Sequence, residues 1–178
     1  ELHPFMARAV VNPNRADMVC ESDFKAISGT FVAYKIMQLL HKYHDNGLDE
    51  KFMSNFEPLV VISTVTDVMP HVDENAFLLR KYKHFTDRFI PNMRKASLNR
   101  EYQNCLNGLE VVLRNIGKLN VHNIGWKLGP ALNSPRRVTG ESRLGYELFM
   151  QTGTVMAQQV YDEILKMNEI RKEMTEYV

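Results

Sequence analysis

Cysteine is scarce: Cys20 and Cys105 are the only two in 178 residues. They can form one bridge at most, which excludes a disulfide-stapled secreted scaffold and predicts reduced thiols in an intracellular setting. Long apolar runs are also missing. The longest, "LVVISTV" (Leu59–Val65), is soon followed by Asp67 and falls far short of the roughly 20 residues that cross a bilayer, so no membrane partner is expected. Tryptophan occurs once, and no segment repeats at a fixed period, which argues against a solenoid. No Gly-Lys-Ser/Thr closes a phosphate-binding loop, and no nucleophile elbow, Cys/His pair or paired-carboxylate motif can be assigned. The expectation is therefore no catalytic residue, no cofactor and no enzyme. The chain begins at Glu1 rather than methionine, which predicts a piece of something longer.

What the sequence does have is helical spacing. Pro4 and Pro13 interrupt any pattern near the start, so residues 1–21 are expected to form an irregular N-terminal arm and 22–178 a helical domain. Ser22 is placed to cap a helix in which Phe24, Ile27, Phe31 and Tyr34 recur every three or four residues as far as Tyr43. Asp49 opens a short helix limited by Pro58. Leu59–Met69 is β-branched enough for a strand but has no partner strand, so it reads as a buried helix ending before Pro70. Asp73 begins a helix with Leu78, Tyr82, Phe85 and Phe89 in one stripe, terminated by Pro91. The clearest helix spans Leu98–Leu119, burying Tyr102, Leu106, Leu109, Leu113 and Ile116 and exposing a Glu110, Arg114, Lys118 ladder.

Gly125, Gly129-Pro130 and Pro135 are expected to break the chain. From Ser142 onward no proline intervenes, which predicts one terminal helix of about thirty residues, roughly 45 Å long. The fold class is all-α: a single compact domain, a bundle of six or seven helices with a long C-terminal helix. That helix would project, with Phe149, Met156, Met167 and Met174 along one face as a partner-binding surface.

The net charge of +1 conceals segregation. Residues 80–100 hold seven basic residues against Asp87 alone, and 101–143 hold six against three, while both flanks are acidic. Tyr82, His84, Phe85 and Phe89 interleave with the first group. Cations beside stacking faces suit single-stranded RNA or DNA; the competing reading buries the aromatics and pairs the cations with the acidic flanks. Arg94, Lys95, Arg100, Arg136, Arg137 and Arg143 are the candidate nucleic-acid or anion-binding residues. In "NSPRRVTGES" (133–142) and just beyond it, three of them surround Thr139, Gly140 and Ser142 ahead of a helix, where backbone N–H groups favour an anion; a plain exposed loop is the alternative. "RRVT" and "RKAS" also place Thr139 and Ser97 where basophilic kinases act.

His41 and His44, followed by Asp45, bring possible ligands close, but zinc needs three or four converging groups and no others share a local pattern. No metal is expected, and no haem pocket can be placed around His122. Trp126, between glycines, is expected to plug the core. Gly145 and Gly153 are expected to mark close helix approach. Together these features favour a non-enzymatic interaction or assembly domain that associates with itself or a protein partner through its last helix. The alternatives are a single-stranded nucleic-acid-binding module using residues 80–143 and a helical pocket for a small apolar ligand.

Overall fold

The computed structural model describes residues 10–14, 25–43, 50–96 and 100–176. Helix α1 runs Gly29–Tyr43, and the Ser28 hydroxyl accepts the Phe31 N–H at 3.2 Å, which satisfies a donor of the first turn. Helicity therefore starts later than expected, because residues 25–28 are not helical; Ser22, and the boundary between arm and domain, lie outside the described residues. Of the arm, residues 10–14 are described, with a turn at Pro13–Asn14.

Helix α2 (Glu50–Ser54) leads into α3 (Glu57–Thr66). Pro58 sits in the first turn of α3, where its missing N–H has no partner to lose, so it opens a helix rather than limiting one. Val60, Val61, Ile62 and Val65 are all buried. A helix apolar on every side belongs in the middle of a domain, and burial overrides the strand preference of this β-branched run.

The expected single helix up to Pro91 is instead three pieces: α4 (Asp73–Tyr82), a 3-10 turn (Asp87–Phe89) and α5 (Ile90–Ala96). Pro91 again lies in a first turn. The connection is pinned by the Leu119 N–H donating to the Phe85 carbonyl at 3.0 Å, and Phe85 stacks on Phe89 with centroids 5.0 Å apart.

Helix α6 (Arg100–Ile116) buries the whole predicted stripe, from Tyr102 to Ile116. Beyond it, the expected breakers sit inside helical structure: α7 (Val121–Asn123), a π turn (Ile124–Leu128) and α8 (Gly129–Thr139) follow without a loop. Pro135 lies within α8 and leaves the Ala131 carbonyl without its usual N–H donor. The neighbouring Ser134 hydroxyl supplies the bond instead, at 2.7 Å. This local repair lets the helix run through a proline.

The terminal helix is also divided, into α9 (Arg143–Met150) and α10 (Thr154–Glu176). The Asn107 amide donates to the Gln151 carbonyl at 2.8 Å and so satisfies the backbone at the break. The 23 residues of α10 still span about 35 Å. Ala157, Tyr161, Ile164 and Asn168 are its buried residues, and it packs against α8, α6 and α9. Gly145 and Gly153 have open space around them; the close approach is at Gly108 of α6, where an added Cβ would lie 2.5 Å from the Leu148 carbonyl oxygen. The architecture is all-α with a long C-terminal helix, and no strand occurs among the described residues.

A polar knot ties α1, α3 and α4 together. Glu57 of α3 accepts from Tyr34 of α1 at 3.3 Å, and from Tyr82 and Lys81 of α4 at 2.8 and 2.6 Å. Burial, reinforced by the hydrogen bond to this carboxylate, pushes the Tyr82 phenol well above its ordinary value.

Candidate nucleic-acid interface

Three elements surround a groove of about 1130 Å³. The α3–α4 connection forms one wall with Val68, Met69, Pro70 and His71. Val68 and Asp73 in this stretch adopt left-handed backbone, with φ of 55° and 47°. Such a conformation costs a β-branched residue about 1–3 kcal/mol, so its surroundings must hold it. The Met69 N–H bonds the Thr64 carbonyl at 3.0 Å, and the buried Asn75 amide donates to the Pro70 and Ala26 carbonyls, both at 2.9 Å. The Val68 side chain is left 86% exposed.

The π turn and the start of α8 form the second wall. Ile124 and Leu128 anchor both ends of the turn in the core, and Gly125, Trp126 and Lys127 bulge outward between them. A side chain on Gly129 would come within 3.1 Å of Thr66 Cγ2, so the turn is seated tightly on α3. Trp126 is consequently 77% exposed. The expectation that it plugs the core fails because the wider turn carries it outward.

The third wall is the C-terminal half of α10, with Leu165, Asn168, Glu169, Arg171 and Lys172. Among the described residues Glu169 is the only carboxylate lining the groove, and it pairs with Lys172 at 2.7 Å. Arg171 Nε donates to Asn168 Oδ1 at 3.1 Å. Lys127 and Arg137 line the groove, are exposed, and have no ion pair among the described residues. Uncompensated cations, an open indole and an apolar floor make a surface for a polyanion that also offers flat faces.

Of the six cations singled out from the sequence, Arg137 lines this groove. Arg94 is held internally: its guanidinium reaches Asn107 Oδ1 at 2.6 Å and Glu110 Oε2 at 2.9 Å. Arg143 pairs with Glu147 at 2.6 Å. Lys95, Arg100 and Arg136 are exposed away from the groove lining. "RRVT" forms the last turn of α8 and, as expected, stands ahead of a helix, since α9 begins at Arg143. Gly140, with φ of 83°, caps α8, and its N–H bonds the Arg136 carbonyl at 2.9 Å. Arg136 and Arg137 meet the negative end of the α8 dipole, while Arg143 stands at the start of α9. Thr139 Oγ1 donates to the Pro135 carbonyl at 2.8 Å; Ser97, His44 and Asp45 lie outside the described residues.

The apolar candidates separate. Phe149, on α9, is partly buried against the core. Met156 and Met174 are exposed on α10, and Met167 is half-buried. Phe149 and the three methionines thus lie on two helices, with Gln151–Gly153 between them. Lys127, Arg171 and Lys172 were missed, the last two because they sit in a net acidic tail.

Fold and groove define an all-helical domain that gathers cations and an indole on one surface. No family model matches the chain. It is similar to the single-stranded-DNA-specific exonuclease RecJ of Escherichia coli (30% identity), Dickeya dadantii (28%) and Bacillus subtilis (28%), in each case over 94% of this chain. It spans 28% of the length of the first two and 18% of the third. The solved structure of RecJ from Thermus thermophilus in complex with Mg2+ superposes with a TM-score of 0.66 at 22% identity, covering 88% of this chain and 22% of that one. This last match shows the fold.

These similarities overturn two expectations. Nearly the whole chain aligns with a segment of proteins named as exonucleases, which overturns both the reading as a non-enzymatic assembly domain and the expectation of no enzyme, and points to a nuclease-associated domain. Sequence reasoning missed this because it assigned no local catalytic motif. The Mg2+ of the Thermus protein finds no matching donor set in the groove: magnesium favours carboxylate oxygens and water, and Glu169 is already tied to Lys172. Among the described residues no group of three or more His, Cys, Asp or Glu side chains gathers to hold a metal. No helix among them is long and apolar enough to cross a membrane.

Proposed function

We propose that this chain is the helical segment of a single-stranded-DNA exonuclease of the RecJ kind, and that its groove holds the DNA strand. The observation that carries the reading is the exposed Trp126 flanked by the uncompensated Lys127 and Arg137, in a chain that aligns over 94% of its length with proteins of that name. Phosphates would meet the cations, and a base would stack on the indole. The groove's own groups are cations, one indole and aliphatic side chains, so they bind and orient the strand.

Fluorescence anisotropy of a labelled single strand of roughly 16 nucleotides across a salt series tests this. The Lys127→Glu, Arg137→Glu double variant should bind at least about tenfold more weakly. Its log–log salt slope should flatten by about 1.4, from two lost phosphate contacts at roughly 0.7 each. Release of nucleotides from single strands by the protein should fall in parallel. Affinity and slope that both ignore the double variant would overturn the proposal.

A further inference from the structure

A second hollow of about 510 Å³ adjoins the groove. The two share His71 and Val121 in their linings, so they meet at the junction of the α3–α4 connection with α7. The new hollow is faced by Arg80 and Lys83 at the end of α4 and by Asn120 and His122 at α7, with Leu79 and Ala76 beneath; among the described residues no carboxylate lines it. The orientation of α4 explains why these cations are available. Lys81, between them in sequence, instead joins the knot around Glu57 at 2.6 Å and does not line the hollow. Arg80 and Lys83 have no ion pair among the described residues.

We infer that this hollow is a second phosphate-binding subsite, which takes the phosphodiester groups of a single strand where it leaves the Trp126 groove across His71 and Val121. The inference rests on the proposed function. It adds a direction: the strand runs from the face of α10, past the indole, to the end of α4. The chemistry favours phosphate over carboxylate or apolar ligands. An arginine fork, a lysine and two imidazoles can surround tetrahedral oxygens from several sides, and the Asn120 side-chain oxygen is already engaged by the Asn123 N–H at 2.7 Å. A strand long enough to cross both hollows gains from both, whereas a short one is held at the indole alone.

The test compares single strands of roughly 4 and roughly 16 nucleotides on the Arg80→Gln, Lys83→Gln variant, the Arg80→Glu, Lys83→Glu variant and the wild type. Both variants change surface side chains, and an unchanged circular dichroism melt verifies folding. The inference expects the longer strand to lose about tenfold in affinity on charge reversal, less on neutralisation, with the salt slope flattened by about 1.4. The shorter strand should be unaffected by either variant yet weakened by Lys127→Glu with Arg137→Glu. If the longer strand ignores the Arg80 and Lys83 changes while still responding at Lys127 and Arg137, the second subsite is wrong and the first stands. If it ignores both pairs, the proposed function itself fails. Displacement by inorganic phosphate of a free mononucleotide bound at Arg80 and Lys83, with strand affinity unchanged, would also overturn the inference, because the hollow would then serve a separate small ligand.

Discussion

Arg94 and Arg137 both come from the basic middle of the chain, and the structure uses them in opposite ways. Arg94 lies across the α5–α6 junction with Asn107 and Glu110 as acceptors. Arg137, near the end of α8, lies beside an open groove and has no carboxylate of its own among the described residues. The same division runs through the molecule. Around Glu57 and Arg94, charged groups are tied to partners on neighbouring helices, and at Gly108 two backbones touch. Around the groove, an indole and the two cations Lys127 and Arg137 are left open and a valine is held in left-handed backbone. Positive charge in the sequence therefore marks two different things, internal ties and a binding surface, and only the position of carboxylates on neighbouring helices separates them.

The sharpest way to break the packed side is Glu57→Ala. It leaves the Tyr34 and Tyr82 phenols and Lys81 without their shared acceptor, and should lower unfolding free energy by about 3 kcal/mol in denaturant titration. Gly108→Ala comes next. In an ordinary helix this change would help by up to about 1 kcal/mol. Here the new Cβ meets the Leu148 carbonyl oxygen, a backbone atom that cannot step aside, so the net result should be a loss of about 2 kcal/mol.

These packed elements were also the most legible in the sequence. The α6 stripe from Tyr102 to Ile116 could be read directly, since every residue of it faces the core. Legibility failed where a distant or neighbouring group compensates a local signal. Pro135 reads as a breaker until the Ser134 hydroxyl is seen to take over the Ala131 carbonyl. Proline-free sequence after Ser142 reads as one helix until Asn107 is found satisfying Gln151. Trp126 reads as core because tryptophan usually is, and nothing local announces a π turn. The groove brings together residues 65 to 172 from separate elements, and its Lys and Arg residues come from two distant stretches, 127–137 and 171–172.

On the open side the order of effects reverses between stability and binding. Trp126→Ala should leave the melting transition within about 0.5 kcal/mol of wild type, as for other exposed positions. It should weaken single-strand binding about tenfold, the scale of one lost base stack. Val68→Gly should produce the smallest change, a gain of about 0.5 kcal/mol as glycine relieves the left-handed φ, partly offset by greater freedom in the unfolded chain. A loss there, measured by thermal melting, would mean that the exposed valine is held by contacts outside this segment.

The most direct test uses the molecule's single tryptophan as its own reporter. Titrating the protein with an unlabelled single strand while recording intrinsic fluorescence should quench the exposed Trp126 and restore its emission when salt is raised. Bound DNA, verified by anisotropy, with an emission spectrum that does not change would contradict the claim that the strand lies on the indole-edged groove.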